Sequence, residues 1–264
     1  MIPPGSQYVA LGSSFAAGPG IHPIVHKPAG RSGNNYAHLV AAELGLELTD
    51  ATYSGATTAH LLDTRQDDAP PQLDAVGPDT AVVTITAGGN DIDYVGTFLR
   101  GSALNTLAKP ATLFGRRAAN RIRARVSYLK DEADYQAAAA SLISVVENIR
   151  ERSPRAQILL VDYLTLVGPS TRPRLDVPLN EEQLPSVAMM ADGLAGAFAK
   201  AAAATGAELI AASAASRDHA IGSPEPWTTG FTLRPGFLGG FVPYHPNAAG
   251  MRAVAGLIVD HLRA

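Results

Sequence analysis

An α/β fold with a parallel sheet is what this sequence predicts, and three observations predict it. Strand-like and helix-like segments alternate along the whole chain, the run at Thr80–Thr86 is apolar and β-branched almost throughout, and no internal repeat or low-complexity linker divides the 264 residues. Five strands separated by helices imply a parallel sheet covered on both faces, because right-handed crossovers place helices on its two sides. The chain therefore reads as one domain, residues 1–264.

The elements follow in order. Gln7–Leu11 is a short β-prone run stopped by Gly12, and Asn35–Leu44 has helical periodicity with Gly45 placed to end it. A second apolar run spans Leu46–Thr52, and a short helix starts at Thr58. Thr80–Thr86 reads as a fully buried central strand. Helical patterns then cover Ala111–Tyr128 and Asp134–Arg152, followed by a strand at Gln157–Asp162 and an Ala-rich helix within Glu181–Ala204. A strand at Glu208–Ala211 and a helix at Ala248–Leu262 close the chain. Two stretches are irregular: 167–185, which holds several prolines, and 222–244, rich in Gly, Pro and aromatics.

Composition narrows the chemistry. The chain is 46% hydrophobic and has no cysteine, which removes disulfide scaffolds, thiolate metal sites and thiol nucleophiles. A net charge of −3 does not favour a polyanionic partner, so no nucleic-acid binding is expected. Arginine dominates the 21 cationic residues, which reads as coding bias in an Ala-rich chain. No run approaches the roughly 18–20 uninterrupted apolar residues of a membrane span, so no integral membrane segment is expected. The segment 1–6 has no basic or apolar leader character, which points to the cytoplasm, or to export if a leader has been removed.

In an open parallel sheet, ligands bind beyond the carboxyl ends of the strands. After the first strand comes Gly12-Ser13-Ser14-Phe15, a small-residue turn that holds a serine hydroxyl near free backbone N–H groups, or equally an ordinary helix N-cap. After the second comes Ser54-Gly55-Ala56-Thr57-Thr58, a turn glycine ahead of a helix. After the third, Gly88-Gly89-Asn90-Asp91 presents a carboxamide donor at the sheet edge. Asp91 and Asp93 suit turn and capping roles. Near the C-terminus His245-Pro246-Asn247 sets a histidine just before the last helix, with Asn247 as its N-cap. Together these turns supply a nucleophile, oxyanion donors and a base on one edge.

Tyr8-Val9-Ala10-Leu11-Gly12-Ser13-Ser14-Phe15, Ser54-Gly55-Ala56-Thr57-Thr58, Gly88-Gly89-Asn90-Asp91 and His245-Pro246-Asn247-Ala248-Ala249-Gly250 come in the order of the SGNH hydrolases, the GDSL esterase/lipase family, which the sequence resembles from Tyr8 to the final helix. The resemblance implies a three-layer α/β/α sandwich of flavodoxin-like kind. It also implies hydrolysis of carboxylic esters, of short to medium acyl chain here, through an acyl-Ser14 intermediate. His245 would be the general base, and the Ser14 and Gly55 N–H groups with the Asn90 amide would form the oxyanion hole. No metal or cofactor is needed. The partner expected is a small-molecule or lipid-like ester. An acyltransferase or deacetylase acting on a sugar or alcohol would use the same residues, and a weakly catalytic binding module is the third possibility.

Two positions depart from the family pattern. Ser13 stands where the family name has Asp, a change expected to adjust local hydrogen bonding only. Val242 stands where the family usually places the triad acid, three residues before His245. The expectation is a Ser–His dyad whose ring is oriented by the Val242 backbone carbonyl, with Asp218 as the rival acid. Trp227, Phe231, Phe237, Phe241 and Tyr244 are candidate walls of an acyl pocket, or else core residues under a long loop. Arg116, Arg117, Arg121, Arg123 and Arg125 spread around a helix and suit a solvated face. The seven histidines show no metal-ligand spacing.

Overall fold

The computed structural model describes residues 2–111, 130–232 and 242–264. Its strands are β1 (Gln7–Gly12), β2 (Ile24–His26), β3 (Arg31–Ser32), β4 (Glu47–Asp50), β5 (Thr80–Thr86), β6 (Gln157–Val161) and β7 (Glu208–Ile210). Five of them form one parallel sheet in the order β4-β1-β5-β6-β7, while β2 and β3 make a small antiparallel hairpin. Counted along the chain, the sheet order is 2-1-3-4-5, the flavodoxin-like arrangement. Its switch point lies between β1 and β5, where the chain first turns back across the sheet.

The helices are α1 (Ser14–Ala17), α2 (Tyr36–Leu44), α3 (Thr58–Leu62), α4 (Tyr94–Ala111), α5 (Glu132–Arg152), α6 (Gln183–Thr205), α7 (Ala212–Ala215) and α8 (Ala248–Arg263). α2 packs with α8 on one face, and α3, α5 and α6 pack together on the other. Both faces of the sheet are thus covered, and β5 is buried at nearly every position on both sides. That double burial explains its β-branched sequence, since alternation disappears when neither face meets water.

Local chemistry sets several boundaries. Asn35 caps α2 by accepting from the His38 N–H, and Gly45 ends it in a left-handed conformation. Asn247 caps α8 by accepting from the Ala249 and Gly250 N–H groups, which is the role its sequence position suggests. α6 has the length and mean hydropathy of a membrane span. Its Leu184, Val187, Met190, Leu194 and Phe198 are nonetheless packed into the core of the domain.

α4 covers residues to which the sequence pattern assigns no element. Gly96, Gly101 and Thr97 weaken its helical pattern, and only tertiary packing of Tyr94 and Phe98 reveals it. The helix expected at 111–128 and its arginines lie almost wholly outside the described residues, as do Phe237 and Phe241.

Candidate active site

The turns singled out in the sequence meet at the carboxyl edge of the sheet around its switch point. Gly12 ends β1 with φ +151°, and a Cβ there would come within 2.5 Å of the Thr86 carbonyl oxygen on β5. The chain can therefore turn sharply at the sheet edge only because residue 12 is glycine. Ser13 N–H then donates to that same Thr86 oxygen at 2.8 Å, and Ser14 opens α1, 8% exposed. Neither the Ser14 nor the Gly55 N–H is paired in the backbone hydrogen-bond network of the described residues.

His245 brings the other half of the pair. Its Nε2 lies 2.8 Å from Ser14 Oγ across 231 residues of sequence, and its Nδ1 lies 2.8 Å from the Pro243 carbonyl oxygen. A carbonyl only accepts, so Nδ1 carries the proton and a neutral ring presents a bare Nε2 to the Ser14 hydroxyl. Burial depresses the His245 pKa from 6.5 to about 4, only partly opposed by the Pro243 carbonyl.

The orienting carbonyl is a correction to the sequence reading. Val242 O is already taken by Thr229 Oγ1 at 2.6 Å, and Tyr244, at φ +60°, folds the chain so that the next carbonyl, that of Pro243, turns back onto the ring. Asp218 is no closer to the role: it sits exposed on a 3-10 turn, Arg217–His219, while the imidazole Nδ1 is occupied. Thr229, which the sequence did not single out, pins this loop. Its hydroxyl donates to Val242 O and receives the His245 N–H at 3.2 Å, and its own N–H donates to the His245 carbonyl at 2.9 Å. A single threonine in an irregular segment leaves no sequence signal of this kind.

The oxyanion-donor candidates are tied together through side chains. Asn90 Nδ2 donates to Ala56 O at 2.8 Å, leaving its second amide hydrogen for another acceptor. Asp91 accepts from the Thr58 N–H and hydroxyl, capping α3 as its turn position suggests. The Gly55 and Asn90 turns are thereby joined. Gln72, also unread in the sequence, reaches from a 3-10 turn to bond both sides of Gly12: its Oε1 accepts the Gly12 N–H at 2.7 Å and its Nε2 donates to Gly12 O at 3.1 Å. Beyond β4 the Tyr53 N–H still donates to Gly12 O at 2.9 Å, so what the Gln72 amide supplies is the acceptor that the Gly12 N–H finds nowhere else among the described residues.

The aromatic candidates divide. Tyr244 is fully buried with its hydroxyl 2.5 Å from Ser102 Oγ, and it packs on Phe98, so it is a core residue rather than an open pocket wall. Phe231 packs against Tyr244, half-buried. Trp227 stacks flat on His219 at 4.1 Å. Among the described residues no cluster of three metal-ligating side chains occurs.

Comparisons with known proteins show the family and the fold. A model of the GDSL-like Lipase/Acylhydrolase family matches residues 10–253. The chain is 32% identical over 274 residues to Lipase 2 of Streptomyces coelicolor, covering 98% of this chain and 86% of that protein. Its structure resembles that of an extracellular lipase from Streptomyces rimosus, with a TM-score of 0.71 at 27% identity, over 98% of this chain and all of that one. A phospholipase A1 from Streptomyces albidoflavus shares the fold with a TM-score of 0.72 at 22% identity, over 98% and 100% of the two chains. A family match over nearly the whole chain, on a sheet of the same topology, means that this chain belongs to the GDSL-like lipase/acylhydrolase family and is a carboxylic ester hydrolase.

Proposed function

We propose that the chain hydrolyses lipid-like esters of short to medium acyl chain through an acyl-Ser14 intermediate. The observation that carries this reading is the buried 2.8 Å contact between Ser14 Oγ and a His245 ring whose tautomer is set by the Pro243 carbonyl. Ser14 Oγ attacks the ester carbonyl carbon while its proton passes to Nε2, giving a tetrahedral oxyanion and an imidazolium. The oxyanion is received by the Ser14 and Gly55 N–H groups and the free amide hydrogen of Asn90, each such donor contributing roughly 3–4 kcal/mol in the transition state. The imidazolium returns the proton to the leaving alcohol as the C–O bond breaks. Water, deprotonated by the same nitrogen, then attacks the acyl-enzyme and releases the acid.

With a carbonyl dipole in place of a carboxylate, the ring is oriented but its positive charge is only weakly compensated. The lipases among its relatives, one of them described as extracellular, support a lipid-like ester and action outside the cell. A p-nitrophenyl ester series of increasing acyl length, run on the wild type and Ser14→Ala, tests the reading. Turnover and phosphonate labelling are expected in the wild type alone, and activity unchanged in Ser14→Ala would refute the nucleophile and the mechanism with it.

A further inference from the structure

Tyr163 follows β6, on the far side of β5 from the nucleophile strand, and its phenol reaches back under the site. Its oxygen accepts the Gly89 N–H at 3.0 Å and lies 3.1 Å from Ser13 Oγ. Gly89 precedes Asn90 and Ser13 precedes Ser14. One buried oxygen thus touches the residue beside the nucleophile and the residue beside the amide donor. The ring is held as well: Phe15 packs on it at 4.6 Å and in turn faces the His245 ring at 5.5 Å, while Phe198 and Tyr94 meet it edge-on at 6.0 Å.

The approach to Gly89 is close enough to exclude any side chain there. A Cβ at position 89 would lie 2.7 Å from the Tyr163 ring carbons and oxygen. The second glycine of the Gly-Gly-Asn-Asp turn is therefore required by Tyr163, since a β-carbon would push the phenol off the Gly89 N–H. Burial raises the phenol to about 12, so it stays neutral and keeps its one hydrogen across the working pH range. A Gly89 N–H deprived of this acceptor would be buried without a partner, and the turn carrying Asn90 would move to satisfy it.

We propose that Tyr163 is a positioning residue that fixes the distance between the Ser14 nucleophile and the Asn90 oxyanion donor by bridging Ser13 and Gly89. This rests on the oxyanion role given to Asn90 above. Tyr163 itself need not touch substrate, so its effect on the rate runs through the placement of the Asn90 amide relative to Ser14. A bond that acts only through Asn90 has nothing left to do once the Asn90 amide is gone, and that non-additivity separates positioning from general destabilisation.

The test is a double-mutant cycle on the full chain: wild type, Tyr163→Phe, Asn90→Ala and the double variant, each with kcat and KM for a p-nitrophenyl ester. Tyr163→Phe keeps the ring and is expected to lower kcat about tenfold at unchanged KM. Asn90→Ala is expected to lower kcat about 10²–10³-fold, and the double variant to match Asn90→Ala within about twofold. Multiplicative losses, or a Tyr163→Phe kcat equal to wild type, overturn the inference while leaving the nucleophile and oxyanion reading intact. An Asn90→Ala enzyme with wild-type kcat refutes that reading itself and the inference with it. Thermal melting checks that each variant is folded. If Tyr163→Phe does not fold, Ser13→Ala, which releases the phenol from its other side, replaces it in the cycle with the same expectation.

Discussion

With His245 as the proposed general base, the acid limit of catalysis follows from the surroundings of its ring. The ring is buried, its Nδ1 faces the Pro243 carbonyl, and burial lowers its pKa from 6.5 to about 4. Neutral imidazole is the form that can accept the Ser14 proton, so kcat/KM is expected to hold from pH 8 down to about 5 and to halve near pH 4. The same shift enters stability. A histidine whose folded pKa lies below its unfolded value contributes stability that is fully present above 6.5 and is lost as the pH falls through about 4. A shift of about 2.5 units is worth about 3 kcal/mol at 1.36 kcal/mol per unit, and with the ring only 7% exposed no large solvent discount applies. Two measurements check this. Released acid, quantified chromatographically between pH 3.5 and 8, gives the kcat/KM profile, and urea unfolding at pH 7 and pH 4 gives the stability loss. Wild type is expected to lose about 3 kcal/mol more than His245→Gln between those two pH values. An acid limb near 6.5, together with equal losses in the two proteins, would refute the account of the ring as buried and uncompensated.

Three further outcomes follow from the geometry. Asp218→Asn is expected to leave kcat/KM within about twofold of wild type, because the residue is exposed and Nδ1 is already bonded; a hundredfold loss in a folded variant would restore Asp218 as the acid. Gln72→Leu leaves the Gly12 N–H buried without its acceptor, so urea unfolding should show a loss of about 1–3 kcal/mol and ester turnover a lowered kcat at near-constant KM. Thr229→Val keeps the shape of the side chain but deletes the hydroxyl that holds Val242 O and the His245 N–H. A drop of about tenfold in the rate of phosphonate labelling at Ser14 is expected, and an unchanged rate would show that the loop is held by other contacts.

Much of this was legible because the residues that must sit at the strand ends are also rare in kind and fixed in order. Glycine at 12 and 89, asparagine at 90 and a histidine before a capped helix each leave a local trace, and β5 reveals its central place through its β-branched run. Illegible were the side chains that reach the site from far away in sequence. Gln72 acts 60 residues from Gly12, and Tyr163 acts 74 residues from Gly89 and 150 from Ser13, with no periodicity or motif to announce either. The Val242 expectation missed by one residue for a similar reason. The carbonyl that meets the ring depends on the left-handed turn at Tyr244 and on Thr229 having claimed its neighbour, and neither is encoded next to the histidine in a readable way.

The two departures from the family pattern form one physical picture. Ser13 stands where the family name has Asp and Val242 where the resemblance leads one to expect an acid, and in their places the structure offers neutral groups: a phenol–hydroxyl contact beneath the Ser14 turn and a peptide carbonyl behind the histidine. Among the described residues, no carboxylate is hydrogen-bonded to Ser14 or His245, and the nearest acid along the Asn90 turn, Asp91, is consumed by the α3 N-terminus. A site of this kind cannot lean on a buried anion to stabilise the imidazolium. On the proposed mechanism its rate comes from oxyanion donors held in place before the substrate arrives, because fixed dipoles help only when their direction is right. That demand accounts for the density of positioning contacts around such small turns. Gln72 holds Gly12, Asp91 holds Thr58 and Tyr163 holds Gly89, each securing the backbone within three residues of a proposed oxyanion donor.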